Sequence, residues 1–124
     1  MNTVAGVIEQ IADDPAIFGL GDLRVCRCSC GGLLLEDPAT ASHYVVVVVP
    51  CPMDDGALIR LVERWAAVRR QHAGRRCFAV LVAEQVEPRY RNILAVIGKA
   101  VPLLAMEMRI SEAAAARFTS LRLV

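Results

Sequence analysis

Cysteine is the residue type whose spacing in this sequence most readily suggests chemistry. The chain holds five cysteines, and three of them alternate in Cys26-Arg27-Cys28-Ser29-Cys30. On a β-strand alternate residues share one face, so these three sulfurs would lie together. Cys51 and His43 are placed where either could approach them, and thiolate and imidazole are both zinc ligands. A thiolate metal site is one interpretation, although the spacing is not that of a zinc knuckle formed on a tight turn.

The second interpretation of the cysteines is structural. Free cysteine packs as a small hydrophobic residue and is often buried. In a cytoplasmic protein these thiols would stay reduced rather than pair in disulfides. We adopt this interpretation, so the sequence predicts no metal ion, no disulfide and no cofactor.

Two carboxylate pairs, Glu36-Asp37 and Asp54-Asp55, are also able to hold a divalent metal ion. Each pair has a simpler explanation, because Glu36-Asp37-Pro38 is typical of a turn and an aspartate at 54 or 55 can cap the following helix. Other catalytic patterns are weaker. His43 and His72 are isolated histidines, and Gly31-Gly32 is followed by neither the helix nor the lysine of a phosphate-binding loop. The motifs therefore predict no catalytic residue.

Basic residues are concentrated in the second part of the chain. Residues 1–55 hold eight acidic and two basic residues, whereas the remainder holds five acidic and twelve basic residues. Such a surface can bind nucleic-acid phosphates or another charged partner. Solvated helix faces explain the same residues, and three Phe, two Tyr and one Trp are few for base stacking. The candidate binding residues are Arg60, Arg64, Arg69, Arg70, Arg75, Arg76, Arg89 and Arg91.

Composition indicates a folded protein that is not embedded in a membrane. With 124 residues, 56% hydrophobic and 22% charged, the chain is predicted to form a single domain over residues 1–124. No apolar run is long enough to span a bilayer, and the first residues lack the basic start and apolar core of a signal peptide. We expect a cytoplasmic location. The high apolar content also suggests that a partner covers part of the surface.

Five consecutive valines, Val45 to Val49, are predicted to form the strand that positions the other elements. β-branched residues favour strands, and a run without polar alternation is typical of a strand buried on both faces. Strands over residues 23–30 and 33–35 precede it with short connections, which predicts an antiparallel meander. A helix over about residues 57–71 and a strand over 77–83 follow. This strand–helix–strand order predicts a parallel crossover.

The ends of the chain complete the predicted fold. Thr3 can cap a first helix, and Pro88 begins a helix that extends to about residue 101. A strand over residues 103–110, a short helical turn capped by Ser111 and an edge strand over 118–124 come last. The predicted class is α/β, with a mixed central sheet, an αβββαβ core flanked by helices and additional C-terminal strands.

This order of elements resembles the restriction-endonuclease-like PD-(D/E)XK nuclease superfamily. The segments LIRLVERWAAVRRQ and CFAVLVAEQVEPRYRNILAVIGKAVPLLAMEM are similar to the second half of bacterial domains of that type, and the resemblance covers about residues 23–110. In that superfamily an aspartate opens the second strand and Glu-X-Lys or Glu-X-Gln lies on the third, where they hold a divalent metal. The resemblance places these positions at Gly32, Val47 and Val49. None of the three can bind a hard cation, which implies a degenerate member of the superfamily.

The expected function is that of a non-catalytic, nuclease-fold binding module. We expect a homodimer that docks to a protein or nucleic-acid partner. The biological setting that we consider is defence or counter-defence between bacteria and mobile elements. Dimerisation is expected through the terminal edge strands or the helices over residues 88–101, because an uncovered edge strand is open to pairing with another chain. The alternative is a metal-dependent nuclease with relocated carboxylates.

Overall fold

A six-stranded mixed sheet lies at the centre of the structure. The computed structural model describes residues 4–29, 32–49, 53–110 and 118–123. Their elements, in chain order, are α1 (Val4–Asp13), a 3-10 helix (Pro15–Phe18), β1 (Arg24–Ser29), β2 (Gly32–Asp37), β3 (Ser42–Val49), α2 (Asp55–Gln71), β4 (Cys77–Ala83), α3 (Pro88–Ile97), β5 (Leu103–Ile110) and β6 (Phe118–Leu123). Strands adjacent in sequence are also adjacent in the sheet.

The strand directions confirm the predicted fold class. β1, β2 and β3 form an antiparallel meander. β3, β4 and β5 are parallel to one another, with α2 and α3 in the two crossovers, and β6 pairs antiparallel with β5 at the edge. The αβββαβ core and the additional C-terminal strands are therefore both present. None of the helices in the described part of the chain is long and apolar enough to cross a membrane.

The valine strand is buried on both faces, as predicted. Val45, Val47 and Val49 belong to the core that the sheet forms with α2 and α3. Val46 and Val48 belong to a second core, which the opposite face forms with α1. No valine of the five is more than 3% exposed. Alternate residues of one strand thus contribute to two separate cores, which is why the sequence shows no polar alternation.

Helix ends follow local sequence signals, with one difference from prediction. Asp54 caps α2, because its Oδ1 accepts a hydrogen bond from the backbone N–H of Ala57 at 2.9 Å. α3 ends at Ile97 rather than near residue 101. The N–H groups of Ala100 and Val101 both bond to the carbonyl of Ile97, so the chain leaves the helix in a tight turn.

Several predicted features lie outside the described residues. They are the Thr3 cap, the helical turn over residues 112–116, and the positions of Cys30 and Cys51.

We predict that Val47→Asp unfolds or strongly destabilises the protein. Val47 is 1% exposed, and an unpaired carboxylate there costs several kcal/mol of the roughly 5–15 kcal/mol that stabilises a typical domain. Ala95→Asp is the control, because Ala95 is exposed on α3 and introducing aspartate there should cost less than about 1 kcal/mol. Chemical denaturation measures both. A cooperatively folded Val47→Asp protein with an unchanged midpoint would contradict the burial of β3 on both faces.

Candidate functional site

The three positions implied by the nuclease resemblance come together in the structure. Gly32 at the start of β2 pairs directly with Val47 on β3. Val47 and Val49 face the same core, beneath α2 and α3. The two strands therefore bring these positions to one place on the α2 face of the sheet. At this place Gly32 has no side chain, and the two valine side chains are apolar. This place cannot coordinate a hard divalent cation.

The Arg64 side chain of α2 lies against Gly32. A Cβ atom built on Gly32 would be 2.6 Å from Arg64 Nη1 and 2.6 Å from the carbonyl oxygen of Val46. Both separations are far below van der Waals contact, and the carbonyl belongs to backbone that is paired in the sheet. Any side chain at position 32 would therefore require the backbone at Val46 to shift. The place implied for the first metal-ligating carboxylate is closed by backbone on one side and by a guanidinium on the other.

Three of the four paired carboxylates have structural roles. Asp37 Oδ1 accepts a hydrogen bond from the N–H of Ala39 at 2.9 Å in the β2–β3 turn, and Asp54 caps α2. Asp55 Oδ1 accepts a hydrogen bond from the hydroxyl of Tyr90 at 3.2 Å, which joins the first turns of α2 and α3. The predicted turn and cap roles of Asp37 and Asp54 are confirmed.

Glu36 is the exception, because it lies at the centre of a charged cluster. Arg24, opposite it on β1, donates from Nε to Glu36 Oε1 at 2.8 Å, and Arg24 Nη2 also contacts that oxygen. On the other side, His43 of β3 places Nε2 3.5 Å from Glu36 Oε2. Arg75, four residues after α2 ends, places Nη1 3.9 Å from the same oxygen. The cluster thus lies beside the C-terminal end of α2.

A break in the β1–β2 pairing brings Cys26 to this cluster. Val25 pairs with Leu35 and Arg27 pairs with Leu34, so Cys26 is the extra residue of a bulge. A bulge redirects side chains, and here ligand atoms of Cys26, Glu36 and His43 all lie within 4.8 Å of one another. The bulge interrupts the strict period of two at Cys26, whereas the predicted face of Cys28 and Cys30 lies outside the described side chains.

His43 is a buried, neutral histidine. It is 2% exposed, and burial lowers its pKa below the ordinary value, with a further lowering from nearby His72 that the charge of Glu36 partly opposes. The two imidazole rings stack, with centroids 4.0 Å apart. His43 Nδ1 is buried and has no hydrogen-bond partner in the described part of the chain. A neutral imidazole keeps the lone pair that a metal ligand or a general base needs.

The Cys26 thiol is not prepared to act as a nucleophile. Partial desolvation by neighbouring atoms raises the pKa of the Cys26 thiol above the ordinary value, and the charge of Glu36 raises it further, although Arg24 and Arg27 oppose this effect. A nucleophilic cysteine needs a lowered pKa that yields the thiolate at neutral pH. The arrangement of Cys26 with His43 therefore does not support cysteine–histidine catalysis.

The predicted arginine residues lie on α2, in the segment that follows it and on α3. Near the start of α2, Arg89 pairs with Asp55 at 3.6 Å. Near the end of α2, Arg69 lies over the ring of Trp65 at 5.2 Å, and Arg75 approaches Glu36. Arg64 is half-buried against Gly32. The exposed members of the set are Arg60, Arg69, Arg70, Arg75, Arg76, Arg89 and Arg91.

An apolar groove between α2 and α3 was not predicted as a site. Its volume is about 430 Å³, and its lining is Asp55, Leu58, Ile59, Val62, Glu63, Ile93 and Ile97. Ile59 is 57% exposed, Ile93 39% and the nearby Val96 66%. The signal available in the sequence was that Ile59 falls outside the buried stripe of α2, which contains Leu58, Leu61, Trp65 and Val68.

Sequence analysis also missed the role of Glu107. This glutamate lies on β5 in the α2- and α3-facing side of the sheet and is 8% exposed. Its Oε2 accepts a hydrogen bond from the N–H of Val86 at 3.0 Å, and its Oε1 lies 3.7 Å from Arg91 Nη2. Glu107 therefore fixes the loop between β4 and α3. A charged residue inside the apolar run LLAMEMRI was the available signal.

No protein-family model, no curated protein and no solved structure matches this chain. Function must therefore be inferred from the residues and their geometry.

We predict that Gly32→Ala destabilises the protein. The added methyl would overlap the carbonyl oxygen of Val46 and the guanidinium of Arg64, and such overpacking typically costs about 1–3 kcal/mol. Gly56→Ala is the control, because a Cβ there has its nearest contact at 3.4 Å, with Asp54 Oδ1. Gly56 lies in α2, where alanine is favoured over glycine. Thermal midpoints should fall for Gly32→Ala and stay level or rise for Gly56→Ala. Equal midpoints would show that position 32 is not closed.

Proposed function

We propose that this chain is a non-catalytic binding module with a nuclease-like αβββαβ core, and that it associates with a second copy of itself through the face formed by α2 and α3. The observation that carries the proposal is the packing at Gly32, where a Cβ atom would lie 2.6 Å from the backbone carbonyl oxygen of Val46. Without a carboxylate at position 32, and with Val47 and Val49 beside it, the fold has no means of activating water with a divalent metal there.

The two candidate carboxylate pairs lie too far apart to form one metal site together. Asp54 and Asp55 lie at the start of α2, whereas Glu36 lies next to Arg75, beyond the end of α2. The helix has 17 residues and is therefore about 25 Å long. Carboxylates that ligate one cation lie a few ångströms apart, so the two pairs cannot act together.

The α2–α3 face has the features of a protein-binding surface. Ile59, Ile93 and Val96 are large apolar side chains with exposed fractions between 39% and 66%. Ile59 and Ile93 line the groove, and Val96 follows Ile93 by three residues on α3, a spacing that makes the two side chains neighbours on the helix surface. Contiguous apolar patches on a folded domain commonly mark an interface, because burying them in a complex removes them from water.

Charges around this patch suit a two-fold contact. Asp55 and Glu63 line the groove, and Arg89 lies one turn before Ile93 on the same side of α3. A surface that carries an apolar centre and both signs of charge can be complementary to itself, and closed two-fold association is the commonest way soluble proteins bury such a surface. The occupant that we propose for the groove is therefore α3 of a second copy.

We predict that the protein does not hydrolyse nucleic acid. Plasmid and single-stranded substrates incubated with Mg²⁺ or Mn²⁺ should remain intact, because no carboxylate stands at Gly32, Val47 or Val49. Gel analysis of the substrates measures this. Metal-dependent cutting that is lost in Glu36→Ala/Asp37→Ala or in Asp54→Ala/Asp55→Ala would overturn the non-catalytic proposal and favour a nuclease with relocated carboxylates.

We predict a dimer in solution that depends on the apolar patch. Sedimentation at micromolar concentration should give twice the 13.5 kDa chain mass, and Val96→Glu or Ile93→Glu should shift the protein to monomer, because each places a charge in the apolar centre. Ala95→Glu is the control, since Ala95 lies on α3 but lines a different pocket. A monomeric parent protein contradicts self-association. A dimer that survives Val96→Glu places the contact elsewhere, with the β6 edge as the next candidate.

A further inference from the structure

We propose that Cys26, Glu36 and His43 form a zinc-binding site with an open fourth position. Their sulfur, oxygen and nitrogen atoms all lie within 4.8 Å of one another, on the side of the β1–β2–β3 meander next to the end of α2. The site shares no residue with the α2–α3 groove or with the Gly32 position, so the proposal does not depend on the function proposed above.

The separation of the glutamate and histidine atoms suits a shared metal ion. Tetrahedral zinc holds nitrogen and oxygen ligands at about 2.0–2.1 Å, which places two such ligands about 3.3 Å apart. Glu36 Oε2 and His43 Nε2 are 3.5 Å apart. This distance is too long for a good direct hydrogen bond, but it is close to one edge of a zinc tetrahedron.

The set of donor atoms is one that zinc prefers. Thiolate, imidazole and carboxylate are its three protein ligands, and three of them with a bound water make an open site. His43 is neutral, as a ligand must be. Zinc binding would displace the proton of the Cys26 thiol, and the resulting thiolate and the Glu36 carboxylate would together neutralise the charge of the ion. Because one proton leaves as the Zn²⁺ ion enters, the site gains one unit of positive charge, next to Arg24 and Arg75.

Neighbouring groups hold the ligands in place before any ion binds. Glu36 and His43 are direct partners across β2 and β3. Arg24 contacts Oε1 of Glu36, so Oε2 remains directed toward His43. The His43 ring is stacked on His72. Contacts from neighbouring residues to the ligands are typical of metal sites, where they fix the orientation of the imidazole ring and the carboxylate.

Cysteine 26 joins the other two ligands only because of the bulge in β1. The extra residue between Val25 and Arg27 brings its sulfur next to Glu36 and His43. Bulges are more common beside functional sites than elsewhere because they redirect a side chain. A functional ligand set accounts for the bulge at this place.

Cobalt is the probe for this site, because Co²⁺ occupies zinc sites and reports thiolate ligation by a charge-transfer band in the near ultraviolet. We expect the whole chain, kept reduced by a non-thiol reductant, to bind one Co²⁺ with this band and to release it when one equivalent of Zn²⁺ is added. Cys26→Ser should abolish the band. Glu36→Gln and His43→Gln should each weaken Co²⁺ binding at least about tenfold.

The control variant is Cys77→Ala. Cys77 pairs with His43 in the sheet register but is buried, and burial raises its pKa to about 11, so this variant should keep the band. Cys26 is exposed, so Cys26→Ser should fold, and circular dichroism checks the folding of every variant. Failure of Co²⁺ to bind, or a thiolate band that persists in Cys26→Ser, would overturn the proposal. Neither result affects the cleavage and sedimentation experiments, which are carried out without zinc or cobalt.

Discussion

Burial of β3 on both faces is the constraint on which the rest of the structure depends. A strand with valine on both faces must be shielded from water on both faces. α1 packs on one face, and α2 and α3 pack on the other. The two edges of the strand must also be paired, which β2 achieves through a short antiparallel turn and β4 through the α2 crossover. The order of elements along the chain follows from these four requirements.

The same packing decides where polar chemistry can and cannot occur. Under the middle of α2 the sheet presents valine, leucine and Gly32, and the side chain of Arg64 lies against the glycine. Beyond the end of α2 the helix no longer covers the strands. There β2 and β3 carry Glu36 and His43 instead of apolar residues, so charged groups and a buried imidazole gather at the rim of the core.

The two ends of α2 have different characters as a result. Its first turns meet α3 across a partly exposed apolar groove, whereas its last turn adjoins the cluster of Cys26, Glu36 and His43. With about 25 Å between the ends, a partner bound at one end would leave the other accessible. A domain of this size can therefore carry the proposed protein-binding face and the proposed metal site without a shared residue.

The sequence by itself determined the α/β class, the limits of strands β4 and β5, the burial of the valine strand and the Asp54 cap. These features follow from periodicity, propensity and capping, which act between residues close in the chain. Only the tertiary structure decided that Cys26 stands in a bulge beside Glu36 and His43, that Arg64 meets Gly32, and that Ile59 and Val96 remain exposed. Strand register and helix placement depend on contacts between residues far apart in sequence, so no local pattern records them.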